Sequence, residues 1–251
     1  MKRIGFLGCG KIGKALLQHA IARGDMEISF IQDPFFKIDV GVDCPIIKEQ
    51  DKELYRSSDL IIECSSVDVL KENYETILQD SDLLMFSVTA FSDSEFTRKA
   101  IMLEQKTEHR IYIPHGAILG LDGIFDGRHV WEKVVITTVK SPKSLGREDT
   151  ERTVIYEGPT RQICSLYPRN VNVHAAIALA GIGFDHMKSV IISDPDVDTN
   201  SHHILLQGKE INISLDISSL ANGAVTGAYT PYSACGSFDR IFNSISEMLF
   251  V

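Results

Sequence analysis

The stretch that most constrains the fold comes first. RIGFLGCGKIGKALLQHAIAR, residues 3–23, runs a short apolar strand into a glycine-rich turn and then into a helical segment stopped by Gly24. Gly8, Gly10 and Gly13 fall in the turn and at the mouth of the helix. Each has its own reason to be glycine. Gly8 permits the tight turn, Gly10 lets the backbone approach a pyrophosphate, and Gly13 lets the helix pack closely on the strand. The helix start offers free N–H groups and a positive dipole end to phosphates. Asp33 closes the next strand-like segment, EISFIQD, about 20 residues past Gly13, where an acid accepts from the ribose 2′-hydroxyl of a dinucleotide. NAD is favoured over NADP, because a carboxylate repels a 2′-phosphate and Gln32, Pro34, Phe35 and Phe36 bring no arginine. Lys37 keeps NADP open.

Strand-like and helical segments continue to alternate. DLIIECSS precedes the helical VDVLKENYETILQ, DLLMFSV precedes SDSEFTRKAIMLEQK, and RIYIP closes the series. Alternation of this kind implies an α/β fold, with a doubly wound parallel sheet of the Rossmann type over residues 1–113. Past Pro114 the texture changes to a glycine-rich loop, HGAILGLDGIFDG, and the strand-like VWEKVVITTV. A polar stretch around KSPKSLGREDTE, a small-residue helix, NVNVHAAIALAGIG, and the strand candidates MKSVIIS, HHILLQG and INISLDIS follow. These imply a second, α+β domain over 114–230 with a mostly antiparallel sheet. YSACGSFDRIFNSISEMLF reads as a C-terminal helix within 231–251 that completes the first domain.

Composition narrows the partners. The net charge of −9 disfavours nucleic acid, and no run approaches the ~18 apolar residues of a membrane span. The basic N-terminus is soon interrupted by glycines and a lysine and reads as no signal peptide. Cys9, Cys44, Cys64, Cys164 and Cys235 are scattered without a C-x-x-C pair, which suits reduced thiols in the cytoplasm and no metal site. A small molecule is the expected partner.

Two segments are more specific. YPRNVNVHAAIALAGIGFD and SDPDVDTNSHHILLQG resemble the L-aspartate dehydrogenase family, with matches at Pro168, Asn170, Asn172, Asp194, Pro195, Asn200, His202 and Ile204. GCGKIG, DLIIECSS and GAILGLDG extend the resemblance along nearly the whole chain. It implies NAD(P)-dependent oxidative deamination of L-aspartate to oxaloacetate and ammonia via iminoaspartate, or the reverse, in a homodimer formed through the second domain's sheet. It also implies that His202 is the catalytic acid/base, with Asn200 beside it, and that His203 is not. Strand alternation agrees in separating the two rings, since adjacent side chains on a strand leave opposite faces. Imidazole suits the chemistry, because it can take a proton from the substrate amine near neutrality and return it. Asn200 could orient His202 or the substrate, or cap a turn. Lys11, Ile12, Cys64, Ser65, Ala117 and Asn172 join Gly8, Gly10, Gly13 and Asp33 as implied cofactor contacts.

A dicarboxylate substrate needs cations, and Lys140, Lys143, Arg147, Arg161 and Arg169 are all candidates. The chain departs from the family pattern at three places. His115 stands where the family has serine, either lining the pocket or pointing away. His174 replaces an alanine and reads as a tolerated change on a helix face. SSLANGAVTGAYTPYSACGSF matches only loosely, through Asn222 and Thr226. These departures leave two alternatives: a dehydrogenase or imine reductase for another amino or imino acid, and a non-catalytic NAD-binding regulatory protein.

Overall fold

The structure, a computed structural model, describes residues 1–37 and 41–242. The chain divides into two compact units, and each has its own sheet. One comprises Met1–Pro114 and the described chain from Pro231; the other runs from His115 to Thr230.

The first unit contains β1 (Lys2–Leu7), α1 (Lys11–Arg23), β2 (Met26–Gln32), β3 (Ile46–Ile47) and α2 (Lys52–Arg56). It continues with β4 (Leu60–Glu63), α3 (Val67–Asp80), β5 (Asp82–Met85), α4 (Ser94–Thr107) and β6 (Ile111–Tyr112). Its strands lie in the order β3-β2-β1-β4-β5-β6, and every pairing is parallel. This is the doubly wound dinucleotide-binding order, which reverses direction between β1 and β4. Strands covered on both faces must be apolar throughout. Ile4, Phe6 and Leu7 of β1 and Leu60, Ile61 and Ile62 of β4 are accordingly buried.

Local signals set the helix boundaries. Gly24 ends α1 in the left-handed region, its N–H bonded to the Ile21 carbonyl. Asp51 and Asp93 cap α2 and α4 by accepting from two backbone N–H groups each. The sequence reading passes over β3 as part of a polar segment. Its Ile46 and Ile47 pair with Ile31 and Gln32, a strand too short to carry a periodic signal.

The second unit contains α5 (Leu121–Asp126), β7 (Trp131–Lys140), α6 (Pro142–Leu145), β8 (Thr153–Pro159) and α7 (Thr160–Leu166). α8 (Asn172–Ala180), β9 (Lys188–Ser193), β10 (Thr199–Gly208) and β11 (Asn212–Leu220) complete it. The sheet order is β11-β10-β7-β9-β8, mixed in direction: β7 and β9 run parallel, and the other pairings are antiparallel. β8 and α7 are absent from the sequence reading, because β8 is an edge strand without a buried residue and its alternation is weak. α8 buries Ala175, Ala176, Ala178 and Ala180, small side chains that allow a helix to lie close to its neighbours.

The chain then enters α9 (Thr230–Ile241). Ala234 and Phe238 enter the apolar cluster of the first unit formed by Ile4, Phe6, Leu16, Leu17 and Ile62. Asp239 anchors the helix, with His19 Nε2 at 2.8 Å and the Arg23 guanidinium at 2.7 Å. The expected helix ran through residue 251; residues 243–251 lie outside the described residues. Phe238 is fully buried, so Phe238→Ala should cost the fold about 3–5 kcal/mol through lost burial and a residual cavity. Urea unfolding followed by circular dichroism checks this; a loss below about 1 kcal/mol would mean that α9 does not hold the first unit together.

Candidate active site

Two constellations of buried polar groups and close backbone stand out, one in each unit. In the first, β1 delivers the glycine loop to the end of the sheet. Gly8 has φ +85°, and a Cβ there would stand 2.9 Å from the Cys64 backbone. Both the conformation and the contact exclude any other residue. A Cβ on Gly13 would come within 2.8 Å of the Gly8 carbonyl oxygen, so the helix and the loop touch backbone to backbone. Gly10 is different: a Cβ there would meet no protein atom within 4 Å. Its side is open, which is the approach a pyrophosphate needs. α1 begins without a side-chain cap and without an acidic residue in its first turn, leaving its positive end for an anion.

Asp33 leaves the end of β2 and folds onto this loop. One carboxylate oxygen accepts from the Cys9 N–H at 2.8 Å and the other from the Phe35 N–H at 2.8 Å. Lys11 and Ile12 occupy the first turn of α1, exposed and half-buried respectively. Cys64 and Ser65 follow β4, and the Cys64 N–H bonds to the Leu7 carbonyl, which ties that loop to β1. Sequence reasoning missed what holds Ser65. The fully buried Glu63 accepts from the N–H and hydroxyl of Ser65, the N–H and hydroxyl of Ser87, and the Phe86 N–H, at 2.8–3.1 Å. Burial pushes the Glu63 carboxyl up, and these bonds oppose the shift. This set of residues fits a dinucleotide: an open backbone cradle, an uncapped helix start, and a fixed carboxylate beside both.

The second constellation lies on one face of the second unit's sheet. Alternation along β7 buries Val134, Ile136, Thr138 and Lys140; alternation along β10 buries Asn200, His202, Ile204 and Leu206. Thr138 and His202 are directly opposite in the antiparallel register. Their side chains meet, Thr138 Oγ1 lying 2.8 Å from His202 Nδ1. Thr138 Oγ1 is also 2.7 Å from His174 Nε2, and His174 Nδ1 is 2.9 Å from Ser189 Oγ. The reading of His174 as a tolerated helix-face change is therefore corrected: it is wholly buried and bonded to the residue that holds His202. His203 leaves the other face and pairs with Asp216, its cross-strand neighbour, at 2.7 Å.

Lys140 is buried too. Its ammonium donates to Asn170 Oδ1 at 3.3 Å and the Val225 carbonyl at 3.2 Å, and no carboxylate among the described residues pairs with it. Burial lowers its pKa to about 8. Of the other candidate cations, Arg147 and Arg161 are engaged by Asp149 and Asp185, while Lys143 and Arg169 are exposed. Asn200 forms no bond to His202. Its amide donates to the Ala224 and Val225 carbonyls at 3.3 and 2.9 Å, and its Oδ1 is buried without a donor. Burial and the Lys140 charge hold the His202 imidazole down to about 3. Ala117 lies in the turn after His115, and Asn172 opens α8, both half-buried in the second unit.

Comparison with known proteins fits this geometry. Residues 8–114 match the family model described as homoserine dehydrogenase, NAD binding domain, and residues 126–241 match aspartate dehydrogenase, C-terminal. The chain is 32% identical to the L-aspartate dehydrogenase of Archaeoglobus fulgidus over 251 residues, covering 99% of each. It belongs to the L-aspartate dehydrogenase family. The family is one of NAD(P)-dependent amino-acid dehydrogenases, so this chain is an enzyme of that class with a nicotinamide cofactor. The crystal structure of aspartate dehydrogenase from Thermotoga maritima superposes with a TM-score of 0.81 at 28% identity, covering 100% of both chains. A dihydrodipicolinate reductase from Paenisporosarcina, 14% identical with a TM-score of 0.55 over 99% of this chain and 96% of its own, shares the fold.

Thr138 escaped the sequence reading because VVITTV looks like any β-branched strand. The signal available was its place on the buried side of the alternation, two residues from Lys140. The glycine geometry yields a paired expectation. Gly10→Ala should weaken NADH binding about tenfold or more with the melting temperature unchanged, whereas Gly13→Ala should lose both affinity and stability. Fluorescence titration with NADH and thermal melts read the two separately; unchanged affinity in Gly10→Ala would place the pyrophosphate elsewhere.

Proposed function

We propose that the enzyme interconverts L-aspartate and oxaloacetate plus ammonia through iminoaspartate, with His202 as acid/base and NAD preferred. The observation that carries this reading is the buried, unpaired Lys140 ammonium beside a donor-less Asn200 Oδ1, on the sheet face that also carries His202. A buried cation without a counter-charge is costly and calls for an anion. A buried acceptor without a donor calls for an N–H. An amino acid with a side-chain carboxylate supplies both. Lys140 takes a carboxylate, Asn200 Oδ1 accepts from the amino group, and His202 faces the same group as base.

His202 takes a proton from the substrate ammonium, freeing the lone pair that drives oxidation at Cα. A nicotinamide held by the glycine loop and Asp33 would supply the hydride acceptor. His202 releases that proton to solvent, takes another from the water that adds to the imine carbon, and returns it to the departing ammonia. Desolvation and Lys140 both oppose charging of His202. A carboxylate on Lys140 cancels the second effect and raises the ring toward a useful basicity. NAD preference rests on Asp33, whose fixed carboxylate favours a ribose hydroxyl over a 2′-phosphate. Val135, Val139, Val190, Ile192 and Leu205 are half-buried on the other face of the sheet and support a homodimer through it.

Initial rates of NADH formation from L-aspartate test the assignment, with glutamate, alanine, D-aspartate and NADP alongside. His202→Ala should lower kcat roughly 10²- to 10⁴-fold while NADH still binds; turnover persisting at the native rate would remove His202 from the chemistry. Lys140 is protonated below its pKa of about 8 and neutral above it. KM for L-aspartate should therefore be flat below that pH and rise above it. Lys140→Met should raise KM at neutral pH and flatten the profile, and a KM that stays pH-dependent in that variant would assign the carboxylate to another cation. Light scattering should give about twice the chain mass of 27.9 kDa, and Leu205→Glu should halve it.

A further inference from the structure

The network behind His202 runs further than its first partner and ends on an atom that can only accept. Thr160 Oγ1 lies 3.1 Å from the Met187 carbonyl oxygen and 2.7 Å from Ser189 Oγ. From there the chain passes through Ser189 to His174 Nδ1, from His174 Nε2 to Thr138, and from Thr138 to His202 Nδ1. Thr138, Thr160, His174 and Ser189 are 0% exposed and His202 is 4% exposed, so bulk water does not intervene. Three strands, two helices and a backbone carbonyl thus meet in one line within the second unit.

Each hydroxyl has one proton, and each neutral imidazole has one N–H and one bare nitrogen. The carbonyl fixes the polarity of everything that follows. Met187 C=O cannot donate, so Thr160 gives its proton to it. Thr160 Oγ1 must then accept from Ser189, which uses the only proton Ser189 has. Ser189 Oγ must accept from His174, which puts the His174 proton on Nδ1 and leaves Nε2 bare. His174 Nε2 accepts from the Thr138 hydroxyl, and Thr138 Oγ1 accepts in turn from His202. The His202 proton therefore sits on Nδ1, and its Nε2 carries the free lone pair.

We propose that His174, acting through Thr138, is a positioning residue that fixes His202 as its Nδ1–H tautomer and reserves Nε2 as the base. The assignment of His202 as base rests on the function proposed above; the tautomer does not. Polarity is the whole of the effect, and no proton needs to travel along the line. When His202 takes a substrate proton on Nε2, its Nδ1–H still donates to Thr138 and the line stands unchanged. A charged His174 would reverse it. An Nε2–H on His174 would donate to Thr138, the hydroxyl would turn to donate to His202 Nδ1, and the His202 proton would move to Nε2, where it blocks the base. Burial, together with the neighbouring His202 and Lys140, holds His174 well below the usual histidine range and keeps it neutral.

Long-range ¹H–¹⁵N correlation spectra of the full-length protein with labelled histidines read the tautomer directly, His202→Gln assigning the ring. The native protein near pH 7.5 should show His202 protonated on Nδ1 with an imine-type Nε2. Thr138→Val, nearly isosteric, should release the ring to the Nε2–H form that free histidine prefers and should lower kcat roughly 10²-fold with KM within about twofold. Thr138→Ser should restore both tautomer and rate. His174→Leu, with Thr138 intact, should give the same release as Thr138→Val. Native His202 protonated on Nε2, or an Nδ1–H signal that survives both Thr138→Val and His174→Leu, overturns the proposal. An Nδ1–H native ring in a protein inactive toward L-aspartate supports the relay and counts only against the substrate assignment.

Discussion

Both units bury polar groups where water does not reach, and the way each group finds its partners organises the architecture around it. A buried donor or acceptor left unpaired costs on the order of 1–3 kcal/mol, and a charge costs more. Glu63 in the first unit meets this demand completely. Its two oxygens collect donors from Ser65, Phe86 and Ser87, and so lock the loops after β4 and β5 to one another. Those loops follow parallel strands beside the point where strand order reverses, the place where an open α/β sheet binds its ligand. Five donors on one buried carboxyl group hold the backbone of both loops in position.

The second unit leaves its demand partly unmet. Lys140 has only neutral oxygens to bond, and Asn200 Oδ1 has no donor. Asn170 and the 224–225 carbonyls fix where these groups point, so the deficit is directional. Next to it, the line from Met187 to His202 is fully paired. In the proposed reaction complete pairing orients the base, and incomplete pairing supplies affinity for a charged ligand. The same sheet face does both because alternation on β7 and β10 brings Thr138 and Lys140 up beside Asn200 and His202.

How much of this was legible in sequence depends on how local each feature is. The glycine turn, Asp33 and the period of α1 are local, and the parallel fold followed from them. β3 has two residues and β8 is a half-exposed edge, so neither leaves a pattern that stands above its polar surroundings. Resemblance to the family singled out His202, and strand period separated it from His203. Thr138 and His174 could not be found in this way. Thr138 lies 64 residues from His202 and His174 lies 36 from Thr138, so their meaning exists only after β7, β10 and α8 have packed. A histidine in place of an alanine on a small-residue helix looks like a surface change until the helix face is known. Lys140 stood among several cations that composition alone ranks equally, and burial separates them.

The electrostatics of this face tie binding to chemistry. Desolvation and the Lys140 charge both lower the basicity of His202 and His174. In the proposed reaction a substrate carboxylate on Lys140 removes the second of these effects and so raises the basicity of the ring that deprotonates the amine. His174 is shielded from this change by a full hydrogen-bond set, since its Nδ1 and Nε2 are both committed to hydroxyls. In the proposed arrangement the ligand's charge acts selectively on the ring that keeps Nε2 as its base, while the ring that sets its orientation stays neutral. An amino acid that leaves Lys140 uncompensated would fail twice, once in affinity and again in the strength of the base. On the proposed reading, discrimination on this face acts on rate as well as on binding, through a single buried charge.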